Sequence, residues 1–175
     1  MKYIFFPGNT PEHKEWCESL QATFNTTGSL MIYYDHWKTG GSVVWNTELE
    51  KIKRLNIAEE CVAVCKSAGC MLSMLAFSKG YLNIKKFVFI GFPYLWLKGR
   101  GDDVDSLLKN WTQPSLFIQK PYDPVMPYTS LKILVGKLPK AYTVEYLREG
   151  ESNDDHSYKD VHYLHDLIVR FVKQN

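Results

Sequence analysis

Six short apolar runs punctuate the chain, KYIFF, LMIYY, CVAVC, KFVFIGF, PSLFIQ and YTVEYL, and this repetition constrains the fold more than any other feature. Runs of this length that are apolar nearly throughout, rather than at every second position, belong to strands buried on both faces. Segments with helical spacing separate them. TPEHKEWCESLQATF carries Trp16, Leu20 and Phe24 four apart, and TELEKIKRLNI, AGCMLSMLAFSKG and MPYTSLKILVGKL follow later strands. After the last run, YKDVHYLHDLIVRFVKQN keeps the helical period to its end. Strands alternating with helices predict a mostly parallel sheet of about six strands with helices on both faces. In such sheets reactive groups gather outside the carboxyl ends of the strands, so those loops are where functional residues are sought.

The 175 residues are 45% hydrophobic and show no internal repeat or low-complexity linker, which fits one domain over residues 1–175 with a substantial core. Lys and Arg number 21 against 19 Asp and Glu, a net charge of +2. No dense basic cluster marks a nucleic-acid surface, so nucleic acid is not an expected partner. The N-terminal apolar run stops at Pro7-Gly8, too short for a signal-peptide core, and no later run reaches transmembrane length. The expected location is the cytoplasm, away from membranes. Cys17, Cys61, Cys65 and Cys70 fit reduced thiols packing as small hydrophobes.

The stretch CVAVCKSAGCML places Ser67 between a strand-like and a helix-like run. Locally, two readings stand. A serine before a helix can cap its first amides. A serine at a sharp strand-to-helix turn can instead present its hydroxyl above the sheet, with the helix amides aimed at the same point. The second reading needs small residues two before and two after the serine, where Cys65 and Gly69 stand. It also needs a base and an acid to orient that base. FIQKPYDPVMP puts Asp123 in a loop after the fifth run, and LREGESNDDHSY puts His156 in a loop before the last helix. Singly, Asp123 reads as a turn residue and His156 as a loop histidine. Together, the order Ser67, Asp123, His156 at three strand ends is that of one hydrolase class. Asp154 and Asp155 are rival partners for His156 but lack a strand-end mount.

At these residues the chain resembles the α/β-hydrolase family, in particular small lidless members related to dienelactone hydrolase and small predicted serine hydrolases. IFFPGNT is similar to the first core strand and oxyanion loop, with Pro7 in place of the usual histidine. YYDHWKTGG is similar to the loop after the next strand, FIGFPY to the strand after the nucleophile helix, and PSLFIQKPYDPVMP to the strand and acid loop. The resemblance implies a reduced α/β-hydrolase fold without the first antiparallel strands of larger members. It implies a serine hydrolase acting on a small ester or thioester as its acyl substrate. Ser67 would be the nucleophile, His156 the general base and Asp123 the acid, with the backbone amides of Asn9 and Ala68 as the oxyanion hole. No cofactor and no metal are implied. Cys65 and Pro7 depart from the family pattern, and they favour the alternative of a catalytically weak binding protein; acyl transfer to an acceptor other than water is a further alternative.

Phe92, Tyr94 and Trp96 follow a strand end, where they either line an acyl pocket or pack beneath the following excursion. Trp37 offers the same choice near the second strand. Asp35-His36 is read as loop structure at the pocket rim. His162 and His165, three apart on the last helix, are read as a solvated face, since zinc needs further ligands.

Overall fold

The computed structural model describes residues 2–24 and 28–174. The chain runs β1 (Lys2–Phe6), α1 (Glu12–Thr23), β2 (Leu30–Met31), α2 (His36–Thr39), α3 (Trp45–Arg54), β3 (Cys61–Lys66), α4 (Ala68–Ser78), β4 (Ile84–Ile90), α5 (Tyr94–Gly99), α6 (Val104–Lys109), β5 (Ser115–Gln119), α7 (Tyr128–Val135), β6 (Ala141–Glu145) and α8 (Val161–Lys173). All six apolar runs supply strands. They form one sheet in the order β2-β1-β3-β4-β5-β6, and every neighbouring pair is parallel. Among the described residues, no helix is long and apolar enough to cross a membrane.

Side chains of β3 show why its sequence lacks alternation. Cys61, Ala63 and Cys65 face a core shared with α3 and α4, while Val62 and Val64 face a second core shared with α1 and α8. Phe87 and Phe89 of β4 go to the first core, and Val88 and Ile90 to the second. Both faces are covered, as a parallel sheet requires. The stripe on α1 buries Leu20 completely, and α8 meets it through Leu164, Ile168 and Phe171. The helix stops at Lys173; Asn175, the last residue of that periodic stretch, lies outside the described residues.

Two elements differ from the sequence reading. β2 keeps only Leu30 and Met31 of LMIYY, because this edge strand has one neighbour and Tyr34 turns inward to donate its hydroxyl to the Pro7 carbonyl at 2.8 Å. Helices α2, α5 and α6 are each six residues or shorter, below the length at which a 3.6-residue period is readable. Strand order reverses between β1 and β3, and a crevice at such a reversal is where ligands bind in open α/β sheets. The loop after β1 and the turn after β3 flank it.

Candidate active site

Ser67 occupies the turn from β3 into α4 with φ 50° and ψ −121°. A non-glycine residue at positive φ is held there by its surroundings at a cost on the order of 1–3 kcal/mol. Two contacts hold the turn: the Ser67 amide donates to the Ile90 carbonyl at 3.0 Å, and the Ser67 carbonyl accepts from the Cys70 amide at 2.8 Å. Its side chain makes no capping bond to the helix. The N-cap reading is therefore set aside by geometry, and the hydroxyl is left for another use. Gly69 is required by close approach. A Cβ there would lie 2.2 Å from the Phe6 carbonyl oxygen and 2.6 Å from that of Pro7, so the end of β1 rests on the first turn of α4. Cys65 is fully buried, its thiol donating to the Ser73 hydroxyl at 3.1 Å. Burial pushes that thiol well above its ordinary range, leaving it protonated.

Asp123 and His156, thirty-three positions apart, are brought together. His156 Nδ1 stands 2.8 Å from Asp123 Oδ2 and 3.0 Å from Oδ1. The carboxylate is completely buried and also accepts the Tyr158 hydroxyl at 2.7 Å and the Val125 amide at 3.0 Å. Neither rival takes its place. Asp155 accepts Lys120 Nζ at 2.8 Å together with the amide and hydroxyl of Ser157, and Asp154 accepts the Ser152 hydroxyl. Against the opposing effect of burial, Lys120 and Ser157 hold Asp155 at about 2.

The imidazole stands over the end of β4, where Gly91 has φ +60° and where a Cβ would come within 2.6 Å of His156 Cε1. The ring thus stands over the residue that follows Ile90, whose carbonyl accepts the Ser67 amide. Its Nε2 is buried and makes no hydrogen bond among the described residues, to Ser67 or to any other group. Burial, then the nearby Lys66 charge, push His156 below its usual value, against the pull of Asp123. That direction favours the neutral ring, which can accept a proton.

The loop after β1 is fixed by its own polar groups. Asn9 Oδ1 accepts the Val43 amide at 2.8 Å, and the Asn9 carbonyl accepts from Trp37 Nε1 at 3.1 Å and faces His36 Nε2 at 2.7 Å. Among the described residues, neither the Asn9 nor the Ala68 amide donates to another backbone carbonyl in a turn, loop or cap.

Of the two readings open for the aromatic residues, pocket lining and packing, the structure shows packing contacts. Phe92 is completely buried and packs on Phe89 and Phe117, with ring centroids 5.6 and 5.4 Å away. Tyr94 donates to Asp105 at 2.7 Å, and Trp96 lies under the Arg100 guanidinium at 4.7 Å. These contacts brace the α5–α6 excursion. Trp37 holds the Asn9 loop and packs against Tyr34, with ring centroids 5.0 Å apart and the planes tilted by 52°. A cleft of about 410 Å³ beside His156 is walled instead by His13, Trp16, Lys66 and Tyr158.

Lys120 escaped the sequence reading although it anchors the His156 loop. It is fully buried, and its ammonium donates to the Ser152 carbonyl at 2.6 Å and to Asp155, with Glu151 at 3.4 Å. Removing one partner of such a buried set leaves the others uncompensated. Lys120→Met is expected to destabilise the fold by about 3 kcal/mol in urea denaturation. A loss no larger than that of an ordinary surface substitution would contradict the anchoring role.

The all-parallel sheet, the strained serine turn and the strand-end placement of Asp123 and His156 define an α/β-hydrolase fold. Solved structures share it. An α/β-hydrolase enzyme from a Medee basin deep-sea metagenome library aligns with a TM-score of 0.70 at 16% identity, over 99% of this chain and 90% of that one. Est1E from Butyrivibrio proteoclasticus, with ferulic acid bound, gives 0.71 at 15% identity over 98% and 87%. The N-formylmaleamic acid deformylase from Pseudomonas putida S16 gives 0.68 at 10% identity over 96% and 91%. No protein-family model and no curated protein matches the sequence.

Proposed function

We propose that this chain is a serine hydrolase that cleaves a small ester or thioester through an acyl-enzyme. The observation that carries the reading is Ser67 held at positive φ with its amide bonded to Ile90, next to the glycine over which an imidazole bonded to a buried carboxylate stands. Neighbours in fold that are named as a serine hydrolase and a deformylase favour hydrolysis as the reaction class.

Ser67 Oγ attacks the substrate carbonyl as His156 Nε2 takes its proton. The carbonyl electron pair moves to oxygen, where the Asn9 and Ala68 amides stabilise the oxyanion. Asp123 holds Nδ1–H and stabilises the imidazolium. Collapse expels the alcohol or thiol, which takes the proton from Nε2, and leaves an ester on Ser67. Water, deprotonated by the same nitrogen, then releases the acid and restores the serine.

Rapid mixing with 4-nitrophenyl acetate tests this directly. The expected result is a burst of nitrophenol approaching one equivalent per chain, with the acetyl group on the peptide containing Ser67. Acetyl found on Lys66, or a strictly linear release with no acylated chain, would contradict it.

A further inference from the structure

Lys66, the residue before the nucleophile, is the charged group in an otherwise apolar strand, and its role is not explained by the fold. The residue is 2% exposed, and its ammonium has no hydrogen-bond partner among the described residues. The ammonium lies over the face of the Tyr158 ring, 4.9 Å from Nζ to the centroid. The nearby carboxylates are occupied: Asp123 by His156, Tyr158 and Val125, and Asp155 by Lys120 and Ser157. A buried cation is normally paired, because its desolvation is otherwise uncompensated. Burial does push this amine down to about 7, against the pull of Asp123. Lys120 shows what a satisfied buried lysine looks like in the same molecule.

The position of the amine is informative. A Cβ on Gly91 would meet Lys66 Nζ at 2.9 Å and His156 Cε1 at 2.6 Å, so the ammonium and the catalytic imidazole abut over the end of β4. Lys66 also walls the cleft beside His156, with Trp16 and Tyr158 as apolar neighbours. We propose that Lys66 is a specificity-determining residue whose ammonium receives a carboxylate carried by the substrate, so that the preferred esters are half-esters of short dicarboxylic acids. A short acyl chain is expected because the ammonium and the His156 ring meet at one point over Gly91. An ammonium–carboxylate hydrogen bond in a water-poor site is among the stronger polar contacts available, and an uncharged isostere would leave the cation unpaired. The inference rests on the serine-hydrolase reading and adds the acyl class to it.

The test compares monoethyl succinate with ethyl 4-methylpentanoate, in which an isopropyl group replaces the carboxylate. For the native protein, kcat/KM is expected to favour the half-ester by roughly tenfold or more. In Lys66→Met that ratio should fall below one, whatever happens to absolute turnover. Native protein that hydrolyses both esters without preference, or a Lys66→Met variant that keeps the preference, would overturn the assignment of Lys66 while leaving the hydrolase reading in place. Turnover of neither ester, together with no labelling of Ser67 by a fluorophosphonate, would overturn the hydrolase reading and this inference with it.

Discussion

Ser67→Ala is expected to lower ester turnover by roughly 10⁶-fold, close to the rate left when the whole catalytic group is removed. The size follows from the way the parts depend on one another. Without Oγ there is no acyl-enzyme, and the imidazole bonded to Asp123 has no hydroxyl to deprotonate. His156→Ala should then cost about as much, and the double variant little more than either alone. Alanine removes only the hydroxyl, which makes no capping bond, so the melting temperature should stay near that of the native protein. Ester turnover and thermal melting on the same preparations separate the two effects. Substantial residual turnover in a folded Ser67→Ala protein would place the nucleophile elsewhere.

Asp123→Asn is expected to cost on the order of 10⁴-fold, because an amide can present its NH₂ to Nδ1 and so favour the tautomer that leaves a proton on Nε2. The pH profile should carry a second signature. Asp123 raises the affinity of His156 for a proton, while burial and Lys66 lower it. Removing the carboxylate removes the upward pull. The acid limb of kcat/KM, which tracks protonation of the free base, should therefore move to lower pH in the residual activity. Asp155→Asn should move that limb the same way but by less, since Asp155 acts on the imidazole only through space and is bonded to Lys120 and Ser157. A larger loss from Asp155→Asn than from Asp123→Asn would reverse the two assignments.

The strands were legible because a parallel sheet buries both faces, and residues such as Val62 and Phe87 announce this by composition alone. The trio of Ser67, Asp123 and His156 was legible as an order of chemically suitable residues at strand ends. Their geometry was not, since the Asp123–His156 contact spans thirty-three positions. The place of the aromatic residues was left open between pocket and core for a related reason. Phe92 after a strand looks alike in sequence whether it covers a pocket or enters the core, and the choice is made by Phe89 and Phe117 on neighbouring strands. Lys120 stands at the end of an apolar strand and reads as a surface cation until the loop carrying Ser152 and Asp155 folds over it. Lys66 did leave a mark, as one charge in a run that is otherwise apolar. What that charge lacks, an acceptor, is visible only once every neighbouring carboxylate has found its partner.

The central claim is that the Ser67 hydroxyl is a nucleophile activated by the folded site, and fluorophosphonate labelling measures that property without knowledge of the substrate. The native protein should take up one phosphonyl group, located on Ser67 by peptide mass spectrometry, and heat-denatured protein should take up none. No labelling under conditions that saturate a known serine hydrolase, or labelling at Cys65 or Lys66 in place of Ser67, would contradict the account.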